Sequence, residues 1–213
     1  MILILETIFV CIFGVLLHFT YDISKHNKVV GIFSAVNESV WEHIKLALTP
    51  MFLYTIIDLV FYLDRPNYFL AKFVSVLTVI IVIPAIFYGY KSILKKDIPA
   101  IDISSFFIAV LSSEYFMYLI LKIDNTHRIL NYISLFLFIL IFIMYLTLTF
   151  FPIKIPLFKD PITNKYGFVG QISKILSEIN SFGQMWLVIL IVLLIYEFKK
   201  NKKFNFNLLL SNS

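Results

Sequence analysis

Charge is scarce in this chain. Of its 213 residues, 15% are charged and 60% hydrophobic, with a mean hydropathy of +0.90. Soluble domains carry about 25% charged and about 45–50% apolar residues, so a soluble globular domain is excluded. Cysteine is limited to Cys11, which excludes an internal disulfide and a Cys-x-x-Cys metal pair. In the middle of an apolar run, Cys11 is expected to be a small buried packing residue. There is no Gly-rich phosphate loop, no Gly-x-Ser-x-Gly elbow and no His-Glu-x-x-His helix, which removes support for nucleotide, serine-hydrolase and metalloprotease chemistry. No Lys or Arg precedes the first apolar run and no small-residue cleavage site follows it, so that segment is expected to stay in the membrane. No internal repeat is visible, against an inverted-repeat transporter.

What the chain does have is long apolar runs. A membrane span needs about 20 such residues. The stretches 2–21, 46–63, 69–90, 103–121 and 129–151 meet that measure, and a shorter one covers 182–198. The expected fold is all-α, a polytopic transmembrane bundle of five or six membrane helices. It forms one domain over residues 1–198, followed by a basic polar tail, 199–213. The net charge of +5 lies in loops and in that tail, which suits anionic lipid headgroups and topology control rather than nucleic acid.

Orientation rests on Lys and Arg in short loops. If all six stretches cross, the two sides hold ten and eight such residues; if the last does not, the split is fourteen to four. Charge therefore favours five crossings and hydropathy six. The loop 152–181 is broken by Pro152, Pro156, Pro161, Gly167 and Gly170. Its second half, 169–179, has apolar residues at helical spacing and is expected to lie along the interface. Pro50 and Pro84 are expected to kink their helices and free carbonyls toward a cavity.

Alternation across the bilayer brings polar residues to one side. His18 and Asp22 close the first stretch at i,i+4 spacing, where Asp22 is placed to hold the imidazole. Asn37, Glu38, Glu42 and His43 open the second, and Asp160 and Tyr166 follow the fifth. Ser39 and Glu42 match a capping box, in which Ser bonds the backbone and Glu reaches back. Trp41 suits an interfacial anchor. The candidate polar pocket is thus His18, Asp22, Asn37, Glu38, Glu42, His43, Asp160 and Tyr166. A divalent metal ion is the candidate cofactor, with His18, Glu38 and Glu42 as ligands; adjacent Glu42 and His43 point about 100° apart on a helix and cannot easily share one ion. Glu114 is a carboxylate in the middle of a membrane segment, where insertion costs roughly 2.5–3.5 kcal/mol. It is expected to be protonated, to bond Ser112, Ser113 or a neighbouring helix, or to serve proton or cation passage. Asp58 is expected at the interface.

Three motifs carry a resemblance: His18-Phe19-x-Tyr21, Asn37-Glu38-Ser39-Val40-Trp41-Glu42-His43 and Asp160-Pro161-x-Thr163-x-x-Tyr166-Gly167. Over about residues 14–168 the chain resembles a family of small multipass bacterial membrane proteins of unknown function. The resemblance implies a bacterial inner-membrane protein without an established activity, and it does not cover the stretch from Gln171 onward.

Three functions are compatible with these residues. The first is binding or transport of a small molecule or ion through a polar pocket at one membrane face. The second is a membrane-embedded enzyme acting on a lipid or lipid-linked substrate, with Glu38 or Glu42 as general base and His18 as acid or metal ligand. The third is a structural or regulatory membrane subunit, for which Glu42→Ala would cost only the roughly 0.5–2 kcal/mol of a lost cap.

Overall fold

Five apolar stretches fold as long helices because, in lipid, backbone polar groups must be satisfied within the segment. In the computed structural model, which describes residues 2–96, 98–123 and 127–168, these are α1 (Ile2–Ile23), α3 (Val40–Tyr62), α4 (Tyr68–Leu94), α5 (Pro99–Leu121) and α6 (Arg128–Leu148). All five are long and apolar enough to cross a membrane. A short α2 (Lys28–Phe33) and a single 3₁₀ turn (Pro156–Phe158) complete the described elements. The sixth apolar stretch, 182–198, the interfacial helix expected over 169–179 and the basic tail lie outside the described residues.

Helix α3 is central. In its most apolar window 56% of residues are buried within the protein, against 17% for α1 and for α6. It packs against α1 and α4; α4 packs against α5 and α6, and α5 returns to α1. The helices α1, α3, α4 and α5 therefore close a ring. On the α6 side, Phe52 meets Phe142 and Tyr145 edge-on or tilted, with centroids 4.7 and 5.2 Å away. Beneath them the Tyr145 hydroxyl donates to Thr49 Oγ1 (2.6 Å), which donates in turn to the Phe33 carbonyl (2.7 Å). This chain of donors ties α6 through α3 to the end of α2.

Pro50 lies inside α3 and has no N–H for the carbonyl four residues earlier. That carbonyl, on Leu46, faces Gly14 of α1. A Cβ built on Gly14 would lie 2.9 Å from the Leu46 oxygen and 2.4 Å from the Phe106 ring of α5. The expected freed carbonyl thus lines a close helix contact rather than a cavity, and the small residue permits the approach. Pro84 lies inside α4.

Helix α3 begins six residues before its apolar stretch, at Val40, and takes Glu42 and Lys45 with it. Both are buried. Lys45 and Lys72, one on each side of the Lys and Arg balance, are fully enclosed within helices and so drop out of it. Cys11 is free and half-buried, where full burial was expected.

Candidate functional site

The chain alternates sides, so the ends of α1, α4 and α6 and the starts of α3 and α5 share one face. Residues 34–39 cross this face between α2 and α3. Ser39 caps α3, its hydroxyl accepting from the Glu42 N–H (3.4 Å). The other half of the expected capping box is made differently. The Ser39 N–H donates to Asn37 Oδ1 (2.8 Å), and the Glu42 carboxylate turns inward. There Glu42 Oε2 accepts from the Val36 N–H (3.0 Å) and from the Lys45 ammonium (2.8 Å), which also donates to the Gly31 carbonyl (2.8 Å).

Glu38 stands on the other side of the cap. It precedes the helix, so the i,i+4 rule does not apply to Glu38 and Glu42, and their carboxylates separate. One Glu38 oxygen lies 4.0 Å from His18 Nε2 of α1, and the other 3.4 Å from His43 Nε2 of α3. The imidazoles stack with centroids 5.9 Å apart, and His43 Nδ1 donates to the Ser39 carbonyl (3.1 Å). Glu38 thus joins two histidines from different helices at a half-open surface.

The hydrogen bond from His43 holds the Glu38 carboxyl below its usual range, over the opposing effect of partial burial; the charges of His43 and His18 act with it. A carboxyl lowered on folding stabilises the protein above its unfolded value, near about pH 4.3, and loses that contribution as pH falls through the folded value. The expected result is that acidification through this window lowers the melting temperature of wild type more steeply than that of Glu38→Gln. Parallel pH profiles would remove Glu38 from the linkage.

The loop after α6 closes over this face. Asp160 is buried and accepts from Thr163 Oγ1 and from the N–H groups of Thr163 (3.0 Å) and Ile162 (3.3 Å), with the Glu38 N–H nearby. Burial alone would raise its carboxyl, but these donors outweigh burial and hold it below its usual range. Asn37 Nδ2 donates to the Gly167 carbonyl (3.5 Å). Gly167 sits at φ +55°, in the left-handed region, and a Cβ there would lie 2.9 Å from the Thr149 carbonyl oxygen. Tyr166 enters through its backbone, in an isolated antiparallel bridge with Lys159. Trp41 packs at a tilt against Phe158 (4.9 Å) and is buried beneath the loop, not held at an interface.

Between this loop and the end of α4 lies a cavity of about 240 Å³, lined by Glu38, Tyr88, Lys91, Lys159 and Asn164 among others. Lys91 Nζ also sits 3.7 Å over the Phe87 ring. One carboxylate, two ammonium groups and an amide therefore border the same space.

The structure brings together His18, Asn37, Glu38, His43 and Asp160 from the expected set. Asp22 is separate: it binds His26 Nε2 (3.1 Å) rather than His18, because the chain reverses at Lys25 and His26, both at positive φ, and carries the second imidazole back over it. Glu42 is withdrawn to Lys45. Among the described residues, no three or more His, Cys, Asp or Glu side chains are arranged to hold a metal ion. His18, Glu38 and Glu42 do not converge on one point.

A second polar cluster lies toward the opposite face. The Lys72 ammonium of α4 donates to Glu6 of α1 and to Asp58 Oδ2 of α3 (2.5 Å), with all three side chains fully buried. Asp58 is therefore internal rather than interfacial. Glu114 of α5 is 5% exposed and meets neither Ser112 nor Ser113; its carboxyl faces Glu6. The signal for Glu6 was its place as the lone carboxylate of the first apolar run, four residues inside α1.

A family model described as a family of unknown function (DUF6512) matches residues 1–169. The chain belongs to that family. The matched span takes in every described helix and both polar clusters. It agrees with the motif resemblance at the level of a family of unknown function. No curated protein and no solved structure matches the chain.

Proposed function

We propose that this protein binds a small molecule or ion, and carries or presents it, through the polar pocket at the face where α1 ends and α3 begins, in a cell membrane. The observation that carries the reading is Glu38. Its carboxylate is shared by His18 and His43, and it lines a cavity bordered by Lys91, Lys159 and Asn164. A cavity of about 240 Å³ falls below the roughly 300–1,000 Å³ of drug-sized sites. The ligand class is accordingly a small polar metabolite or ion, and the lysines suit an anionic group on it. The imidazole–carboxylate contacts also supply acid–base groups, so an enzyme acting at the headgroup level is the second reading.

The test is a melting-temperature screen of purified protein with small carboxylates, phosphates and amino acids. A ligand at about 100 times its Kd adds about 2.7 kcal/mol. The expected result is a hit that disappears in both Glu38→Gln and Lys159→Ala. Silence across the panel, together with no uptake by proteoliposomes, would defeat the binding reading. Turnover of a hit would move the assignment to the enzyme.

A further inference from the structure

Each of the four helices in the ring sends one ionisable side chain to the same interior point: Glu6 from α1, Asp58 from α3, Lys72 from α4 and Glu114 from α5. Glu6, Asp58 and Lys72 lie four residues inside their helix ends and Glu114 seven, or about 6–10 Å from the side where α1 begins. The pocket of Glu38 is a different place, about 18 Å away along α1 from Glu6 to His18.

Charge does not balance here. Three carboxyl groups surround one ammonium. With all four ionised, the interior would hold two uncompensated negative charges, and a buried charge without a partner costs several kcal/mol. Hydrogen bonding is unbalanced in the same sense. Glu6 Oε2, Asp58 Oδ1 and both Glu114 oxygens are buried acceptors without a donor, and on α4, one turn to either side of Lys72, the Tyr68 and Ser75 hydroxyls are buried without a partner. The Glu114 carboxyl faces Glu6, and Glu6 also faces Asp58. Contact between two carboxyls is attractive only when a proton lies between them, as in a shared-proton dyad. Charge and hydrogen bonding thus both call for protons.

We propose that Glu6, Asp58 and Glu114 form an exchangeable proton-binding site inside the helix ring, with the Lys72 ammonium as its fixed counter-charge. One proton rests on a Glu114 oxygen and is donated to Glu6, whose other oxygen stays on Lys72; this lowers the uncompensated charge of the cluster from two to one. Its exchange with water runs toward the side where α1 begins, one to two turns away. The other groups whose charges bear on the site are Cys11 of α1, Tyr54 and Tyr62 of α3, and Tyr68 of α4. Of these, the Tyr68 hydroxyl lies buried beside Lys72 and can donate to a carboxylate left after the proton departs. The site stands independently of the ligand pocket, and either assignment can fail without the other.

Infrared difference spectroscopy of the full chain in lipid nanodiscs, titrated in water and in deuterium oxide, reads such a proton directly. The expected result is a protonated-carboxyl C=O band at neutral pH that shifts on deuteration, disappears at alkaline pH, and is lost in Glu114→Gln or in Glu6→Gln. These substitutions keep size and remove a charge, and the wild-type titration needs neither of them. Absence of the band from wild type at neutral pH would overturn the proposal. A band that persists in both variants would overturn it as well.

Discussion

Lys72→Met is expected to lower the stability of the helix ring by about 3–5 kcal/mol, the usual cost of leaving buried charge without its partner. Lys72 is 0% exposed and holds Glu6 and Asp58 at once, so its removal strands two carboxylates from two different helices. Even at an effective dielectric of 20, one contact at 4 Å is worth about 4 kcal/mol, and the desolvation already spent on the acids is not recovered. The protein has one escape, which is to protonate them. The loss is accordingly smaller at acid pH and grows as pH rises. Equilibrium unfolding in mixed micelles measures it. The triple change Lys72→Met, Glu6→Gln, Asp58→Asn should regain most of the stability, because a neutral cluster needs no counter-charge. A Lys72→Met loss below about 1 kcal/mol, the scale of an exposed pair, would mean that the ammonium is not enclosed.

Glu42→Ala is expected to cost about as much, and for the same reason at the opposite end of α3. Read as a helix cap, Glu42 is worth roughly 0.5–2 kcal/mol. Read from its contacts, it is the counter-ion of the fully buried Lys45 and the acceptor for the Val36 N–H. Its removal leaves an ammonium held by the Gly31 carbonyl alone, which puts the loss at about 3–5 kcal/mol. Ser39→Ala supplies the comparison, since it removes the capping hydroxyl at about 1 kcal/mol. Unfolding of the two variants side by side separates the readings. Equal losses would return Glu42 to the role of a cap.

The difference between those readings shows where sequence reasoning stopped. Ser39 was legible as a cap because capping is local: a hydroxyl three residues before a backbone N–H has few other uses at a helix start. The partner of Glu42 was not legible. The i,i+4 spacing of Glu38 and Glu42 puts them on one face only if both are helical, and α3 begins between them at Val40. The same limit governs Asp22. Its i,i+4 spacing from His18 is matched by an equal spacing to His26, and the positive φ at Lys25 and His26 decided the choice. Glu6, Asp58 and Lys72 were each visible as isolated charges near apolar runs, yet their meeting depends on the rotation of three helices about their own axes.

Hydrophobic run length and side alternation follow from the one-dimensional order of residues. They set five helices long and apolar enough to span a membrane, and brought the motif residues His18, Asn37, Glu38, His43 and Asp160 to one face. Tertiary structure alone decided which charges pair, because a helix of known position can still present any side to its neighbours. Packing chose the rotation that hides Lys45 against Glu42 and Lys72 against Glu6 and Asp58, where an unpaired charge would have been too costly to bury.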